Sequence, residues 1–354
     1  MRKLSLIASL LWLPLFAEEE SLEKQVSLLE CKMKSARTET VYDCRAGARF
    51  ANGRPVYCGW GVWATGDVLY WKAFQGGTDY AYTSNTPASQ WMLGTIHKAN
   101  YEWEAGYRLG LSYSWPYDNW DLAALYTSID PTAEGSAKAP IQGNLGMLFN
   151  APDLATALNG STKWKTNYST FDFELGRSFF VSKYLYLRPH FGLRSAWIHQ
   201  KAKANFSFLG GTEQVRNRND FDGAGLRLGG DGKWFLDSHW NFNLATSASM
   251  LYGKFKVKNF RKVYTGVRPT YQLKETGDCY KTVPAAQMAL GFGWETIFAE
   301  ERCHIALNVA YELNYWWRQN QMMNFETSQT NPYGTRYSDD LGFHGVTGDI
   351  QLSF

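Results

Sequence analysis

Residues 101–115 read YEWEAGYRLGLSYSW. Tyr101, Trp103, Ala105, Tyr107, Leu109, Leu111, Tyr113 and Trp115 share one parity. Glu102, Glu104, Gly106, Arg108, Gly110, Ser112 and Ser114 share the other. Successive side chains of a strand point to opposite faces, so this is a strand with one apolar and one polar face. Strands of soluble domains run about five or six residues. A tilted strand crossing a bilayer needs about 9–11. Alternation over all fifteen residues therefore calls for a medium that is apolar on one side to the depth of a membrane. In lipid every backbone N–H and C=O must be paired, and for strands only a closed barrel achieves that.

The same unit recurs. The turn PYDN (116–119) leads to a second strand, Trp120–Ile129. A strand ending at Phe180 turns at VSK and leaves as YLYLRPHFGLRSAWI. One ending at Phe235 turns at LDSH and leaves as WNFNLATSASMLY, and one ending at Phe298 turns at AEER and leaves as CHIALNVAYELNYWW. Rings flank the short turns (Trp115 and Trp120, Phe180 and Tyr184, Phe235 and Trp240, Phe298), as in the aromatic girdle of a membrane interface. Polar segments near 75–100, 130–166, 201–218, 256–282 and 319–340 read as long loops on the opposite side. The pattern predicts an all-β, antiparallel, up-and-down transmembrane barrel of ten strands. They fall near 60–74, 101–115, 120–129, 167–180, 184–200, 219–235, 240–256, 283–298, 303–317 and 341–354. IQGNLGMLF at 141–149 could add a hairpin and make twelve. A soluble β-sandwich explains neither the strand length nor the alternation of short turns with long loops.

Composition agrees. The chain holds 15 Trp, 21 Tyr and 21 Phe, but no apolar run near 18 residues in its mature part, which excludes a helical membrane bundle. A mean hydropathy of −0.37 is ordinary for a barrel that is apolar outside and polar inside. The net charge of +3 and the lack of a Lys/Arg-rich run give no sign of nucleic-acid binding.

The N-terminus reads as an export signal over 1–17. Arg2 and Lys3 precede the apolar Leu4–Phe16, and Ala17 offers a cleavage site. Residues 18–57 read as a periplasmic segment, with Leu22, Val26, Leu29 and Met33 spaced for a short amphipathic helix that lies against or plugs the barrel. Residues 58–354 read as the barrel. Cys31, Cys44, Cys58, Cys279 and Cys303 are candidates for disulfides, an odd number that leaves one thiol over or paired between chains. Cys279, in a predicted outer loop, lies too far from the other four to bond within one barrel.

Following the alternation, the lumen-facing set is Asp67, Glu102, Glu104, Arg108, Asp121, Asp172, Glu174, Arg188, His190, Arg194, Arg227, Glu295, Asn308, Glu312 and Asp349. Acids outnumber bases there, which favours cations in a pore. Eight strands leave an interior filled by side chains and sixteen leave a channel. At ten to twelve an open pore is expected; the alternative is that opposite charges pair and fill the lumen. No H-E-x-x-H, G-x-S-x-G or phosphate-loop motif is present, and GAGLRLG (223–229) lies within a strand. Asp220-x-Asp222 with Asp237-x-His239 has the residue types of outer-membrane aspartyl proteases of the omptin kind. The predicted topology puts the two pairs about a membrane thickness apart, so no enzyme, cofactor or metal site is expected.

YEWEAGYRLGLSYSWPYDNWDLAALYT, FDFELGRSFFVSKYLYLRPHFGLRSAWIHQKA, NDFDGAGLRLGG and ALGFGWETIFAEERCHIALNVAYELNYWWRQNQM resemble the Legionella-type pore-forming major outer membrane proteins and the related porins of chlamydia-like bacteria. RPHFGLRSAWIHQ and NYWWRQNQM carry most of the specificity. The resemblance covers about 60–354 and implies a Gram-negative outer-membrane barrel passing small solutes or ions. It brings no catalytic residues. Its chlamydia-like members imply cysteine cross-links in the envelope, and a structural or adhesive surface protein is the alternative function. Implied partners are outer-membrane lipid and the barrel-assembly machinery; a homo-oligomer is compatible. The last strand, GVTGDIQLSF, ends on Phe354, a terminal aromatic resembling the signal that this machinery reads.

Overall fold

The computed structural model describes residues 26–30, 61–84, 94–115, 120–141, 143–148, 157–182, 184–237, 239–266, 269–298, 303–327, 332–336 and 338–353. The chain divides into two compact units, 1–47 and 48–354. In the first, residues 26–30 are helical, within the predicted amphipathic segment; the predicted signal and the rest of that unit lie outside the described residues.

The second unit is a closed antiparallel barrel. Its strands are Val62–Gln75 (β1), Trp103–Ser114 (β2), Trp120–Ile129 (β3), Asn159–Arg177 (β4) and Leu185–Phe208 (β5). They continue as Gly211–Phe235 (β6), Trp240–Tyr264 (β7), Pro269–Phe298 (β8), Cys303–Asn320 (β9) and Asp339–Ser353 (β10). Each pairs with its sequence neighbours, and β10 closes on β1 with Asp349 opposite Asp67. The ring therefore has ten members, the lower predicted number. The described part of the 141–149 segment adds no strand to the wall. Its Asn144–Met147 pairs with Asp79–Ser84, which pairs with Gly94–Lys98, in a separate three-stranded sheet.

The lipid-facing band follows the alternation. On β7 the outward positions run Trp240, Phe242, Leu244, Thr246, Ala248, Met250 and Tyr252, all exposed, and the next one is Lys254. Twelve residue steps at ~3.3 Å, tilted by ~40°, span ~30 Å, close to a barrel's apolar band. Tyr113, Trp115, Tyr184, Trp234 and Trp240 stand exposed at the short-turn rim, and Trp197, Tyr252 and Tyr280 at the other.

Two predicted loops are almost wholly strand, and a third, 130–166, contributes Thr132–Lys138 paired with the first residues of β4. Residues 201–208 with 211–218, and 256–264 with 269–282, extend the β5–β6 and β7–β8 hairpins, the second with a register shift at Val263/Tyr264. β8 reaches 30 residues, about three times what a bilayer requires. Beyond the membrane the alternation keeps its phase but reverses its polarity. In KAKANFSF the outward Lys201, Lys203 and Asn205 are exposed, while Ala202, Ala204 and Phe206 are buried. Water has replaced lipid outside, and inside an apolar core surrounds a buried ion pair between Glu213 and Arg261. Leu209 and Gly210 alone connect β5 to β6, and Gly210 has φ +91°, a value that glycine adopts without steric cost. The inward apolar side chains of the extensions (Phe206, Val215) and of the strand ends just below them (Phe221, Leu251, Phe255) join Trp71, Trp164, Trp316, Tyr168 and Phe343 in one buried cluster. Tyr80, Ala81, Leu145 and Met147 of the three-stranded sheet belong to the same cluster.

The opening stretch of the sequence also needs one correction. Its alternation breaks at Glu102, where the chain passes from a short strand, Asn100–Tyr101, into β2. Tyr101 points inward, donating its hydroxyl hydrogen to Gln75 Oε1 at 3.0 Å and lying 3.2 Å from Thr166 Oγ1.

Candidate functional site: the barrel interior

Inward-facing side chains of the membrane span form layers. At the short-turn end, Arg188 on β5 donates from Nε to both oxygens of Asp121 at 3.0 Å and from Nη1 to Asp231 at 2.8 Å. Glu174 lies 2.8 Å from Arg227 Nε and 3.3 Å from His190 Nδ1. Lys233 pairs with Glu295 at 2.9 Å, and Asn308 bridges Asn243 and Asp349.

One layer up, the contacts cross the lumen. Arg108 on β2 reaches Asp67 on β1 at 3.0 Å and Glu312 on β9, three strands away around the wall, at 2.8 Å. Glu312 also accepts hydrogen bonds from Gln287 and from Thr347 Oγ1. Gln287 in turn accepts from Arg194 at 2.9 Å and Arg227 at 3.2 Å. Arg194 holds Asp172 through two bonds of 2.6 and 2.7 Å, a bidentate geometry that is the strong form of this interaction. One connected network thus joins β1, β2, β4, β5, β6, β8, β9 and β10.

Above it the lumen is spanned directly. Asn314 Nδ2 on β9 donates to Tyr168 Oη on β4 at 2.9 Å, across five of the ten strand steps, the full width of the ring. Trp316 meets Tyr168 edge-on at 5.8 Å, Phe343 lies 4.7 Å from Tyr168, and Arg194 sits 5.9 Å from the Trp316 ring. Tyr168 and Trp316 are 0 % exposed, so water does not reach this layer. The lumen expected to be open is filled at this height by side chains.

Of the lumen-facing set read from the sequence, Asp67, Arg108, Asp121, Asp172, Glu174, Arg188, His190, Arg194, Arg227, Glu295, Asn308, Glu312 and Asp349 sit in these layers. Glu104 accepts from Thr132 Oγ1 at 3.0 Å, nearer the outer end. Glu102 is exposed in the break before β2 and joins none of them. Sequence reasoning missed Asp231, Lys233, Gln287, Thr347, Tyr168 and Asn314. The parity that selected Arg227 also selects Asp231 and Lys233, and that of Glu312 selects Asn314.

Asp220-x-Asp222 and Asp237-x-His239 do not meet. Asp222 lies on the outer face of β6, 3.0 Å from His199, while Asp237 caps the β6–β7 turn. Fifteen residue steps of one strand, ~50 Å, separate Asp222 from Asp237. Among the described residues no cluster of His, Cys, Asp and Glu could hold a metal. Cys279 is on strand β8, not in a loop, half-buried against the apolar core opposite Phe255. Cys303 opens β9. Cys31, Cys44, Cys58 and Phe354 lie outside the described residues.

A closed ten-strand antiparallel ring with an apolar, aromatic-girdled outer band and a charged interior defines a transmembrane β-barrel of the Gram-negative outer membrane. The particular family follows from the sequence itself. Residues 59–354 match the family described as Legionella pneumophila major outer membrane protein precursor, and the chain belongs to it. No curated protein matches the chain. Among solved structures it is similar to the outer membrane protease OmpT from Escherichia coli, at 9% identity, covering 86% of this chain and 100% of that one, with a TM-score of 0.40. The translocator domain of the autotransporter NalP from Neisseria meningitidis gives 10% identity, 94% and 97% coverage, and a TM-score of 0.31. The Pseudomonas putida toluene transporter TodX gives 9% identity, 83% and 90% coverage, and a TM-score of 0.30.

Proposed function

We propose that this barrel is a conduit for small hydrophilic solutes or ions that is closed at rest. The ladder of ionisable side chains through the membrane span carries the reading. A barrel needed only as a wall could fill its interior with apolar side chains at no cost in stability, whereas buried ion pairs bring a desolvation penalty that their attraction barely repays. Ionisable groups at membrane depth mark pathways. The inward carboxylates Asp67, Glu104, Asp121, Asp172, Glu174, Asp231, Glu295, Glu312 and Asp349 outnumber the cations Arg108, Arg188, Arg194, Arg227 and Lys233, which favours cation passage. Family membership supports the same reading. Opening requires the Tyr168–Asn314–Trp316 layer and the apolar cluster above it to part.

A second reading, a structural or adhesive surface barrel, is favoured by that apolar cluster and by the hairpins that project beyond the membrane. Neither reading is enzymatic. Refolded protein in a planar bilayer separates the two. The conduit gives a closed baseline with brief, cation-preferring openings that grow more frequent with voltage. A bilayer that stays silent with correctly folded protein leaves the structural reading.

A further inference from the structure

The protruding hairpins carry a grid of cations on their outward face. Lys165, Lys201, Arg218 and Lys258 are directly cross-strand partners on β4, β5, β6 and β7. One alternation step further out, Lys163, Lys203 and Arg216 form a second row, continued past Phe260 by Lys274 on β8. All eight are exposed. Directly opposed like charges destabilise a sheet, and here four stand side by side in a single row. Carboxylates serve only part of the grid. Glu134 holds Lys163 at 2.6 Å, Asp130 lies 3.9 Å from Lys165, and Asp220 holds Arg218 at 2.5 Å. Among the described residues none lies within 4 Å of Lys201, Lys203, Arg216 or Lys258.

The height of the grid is specific. Trp197, Tyr252 and Tyr280 end the lipid-facing band, and the layer of His199, Asp220 and Lys256 separates them from the first row. The grid faces sideways, away from the barrel mouth, because the same strands turn Trp164, Ala202, Val215 and Val257 inward. It is also one-sided. Past their own apolar stretch, β1, β9 and β10 carry Phe74, Tyr315 and Asp340 outward. A basic surface at the level where acyl chains give way to headgroups has one neighbour of matching charge.

We propose that this face binds the phosphorylated headgroups of outer-leaflet lipid, whose anions neutralise the rows that the protein leaves repelling. Lipid phosphates then anchor the β4–β8 wall and fix the depth at which the hairpins emerge. A polybasic surface beside a membrane gains affinity with each Lys or Arg, in a salt-dependent manner.

The test uses full-length refolded protein in neutral detergent, titrated with bisphosphorylated lipid A, with dephosphorylated lipid A and with inorganic pyrophosphate. Bound lipid is read by native mass spectrometry and unfolding by heat-modified gel mobility. Lipid A binds and raises the unfolding temperature, and the dephosphorylated form binds at least about tenfold more weakly. The K201Q/K203Q/R216Q/K258Q variant loses at least about tenfold in lipid A affinity, and the corresponding K201R/K203R/K258R variant retains it. Without lipid the Gln variant unfolds at a higher temperature than the wild type, because its repulsion is gone. Equal binding of both lipid forms, tighter binding of free pyrophosphate than of lipid A, or unchanged lipid affinity in the Gln variant would each overturn the proposal. If the Gln variant does not fold, the wild type decides: lipid A binding insensitive to salt sinks it.

Discussion

Replacing Asp172 by alanine tests whether the charged interior is dry. Asp172 accepts two bonds from Arg194 and lies 3.2 Å from Arg227. Its side chain is 6 % exposed and that of Arg194 2 %. Removing one partner of a buried ion pair costs about 3–5 kcal/mol, because the remaining charge is left desolvated. Here two guanidiniums are left facing each other, but not bare. Arg194 keeps Gln287 and the Trp316 ring, and Arg227 keeps Glu174 at 2.8 Å. The loss should therefore fall near the lower end, about 3 kcal/mol. Replacing the pair together, Asp172→Leu with Arg194→Met, removes both desolvated charges and should recover most of that loss. Urea unfolding in lipid vesicles, followed by tryptophan fluorescence, measures both variants. A cost below about 0.5 kcal/mol for Asp172→Ala would refute the reasoning, since only a hydrated, screened lumen makes such a pair so cheap.

Other expectations follow from other parts of the wall. Leu226→Arg places a charge on the lipid face of β6, where Leu226 is 68% exposed, and should cost about 2–4 kcal/mol in the same unfolding assay. Gly210→Val forces a β-branched residue into φ +91° and should destabilise the β5–β6 hairpin by about 1–3 kcal/mol, seen as faster proteolytic nicking near residue 210 with the membrane-embedded part intact. Asp237 caps the β6–β7 turn by accepting from the N–H groups of His239 at 2.7 Å and Trp240 at 2.9 Å, which holds its carboxyl below the usual carboxylate range. A depressed folded value means that this capping is present above the unfolded value and is lost as pH falls through the folded one. Asp237→Ala should therefore slow refolding at neutral pH and make no difference in strong acid, and Asp237→Asn should refold like the wild type.

The membrane-spanning wall was legible because its signal is local. Period-two alternation names both faces of β2 or β9 without knowledge of the partner strands. The same parity puts thirteen ionisable or amide side chains, from Asp67 to Asp349, on the inward face. Residues 201–218 and 256–282 were misread as loops because their mean polarity is high. Yet KAKANFSF and KFKVK alternate as strictly as any span, with the polar parity outward. The cue was the uninterrupted phase, not the hydropathy. Glu102 shows the converse, since a single break in pairing ends the parity argument that placed it in the lumen. The closure of the lumen was not legible at all. Whether Tyr168 reaches Asn314 depends on ring circumference and strand stagger, which emerge only when all ten strands close. A pattern read along one strand carries no information about the opposite wall.

The central claim is that the Tyr168–Asn314–Trp316 layer holds a charged conduit shut. Single-channel recording of Tyr168→Ala with Trp316→Ala, against the wild type in the same bilayers, tests it most directly. Removing two fully buried rings that meet across the lumen should turn rare openings into sustained, cation-preferring conductance, with the fold verified by heat-modified gel mobility. A correctly folded double variant that conducts no more than the wild type would contradict the claim and leave the barrel a filled wall.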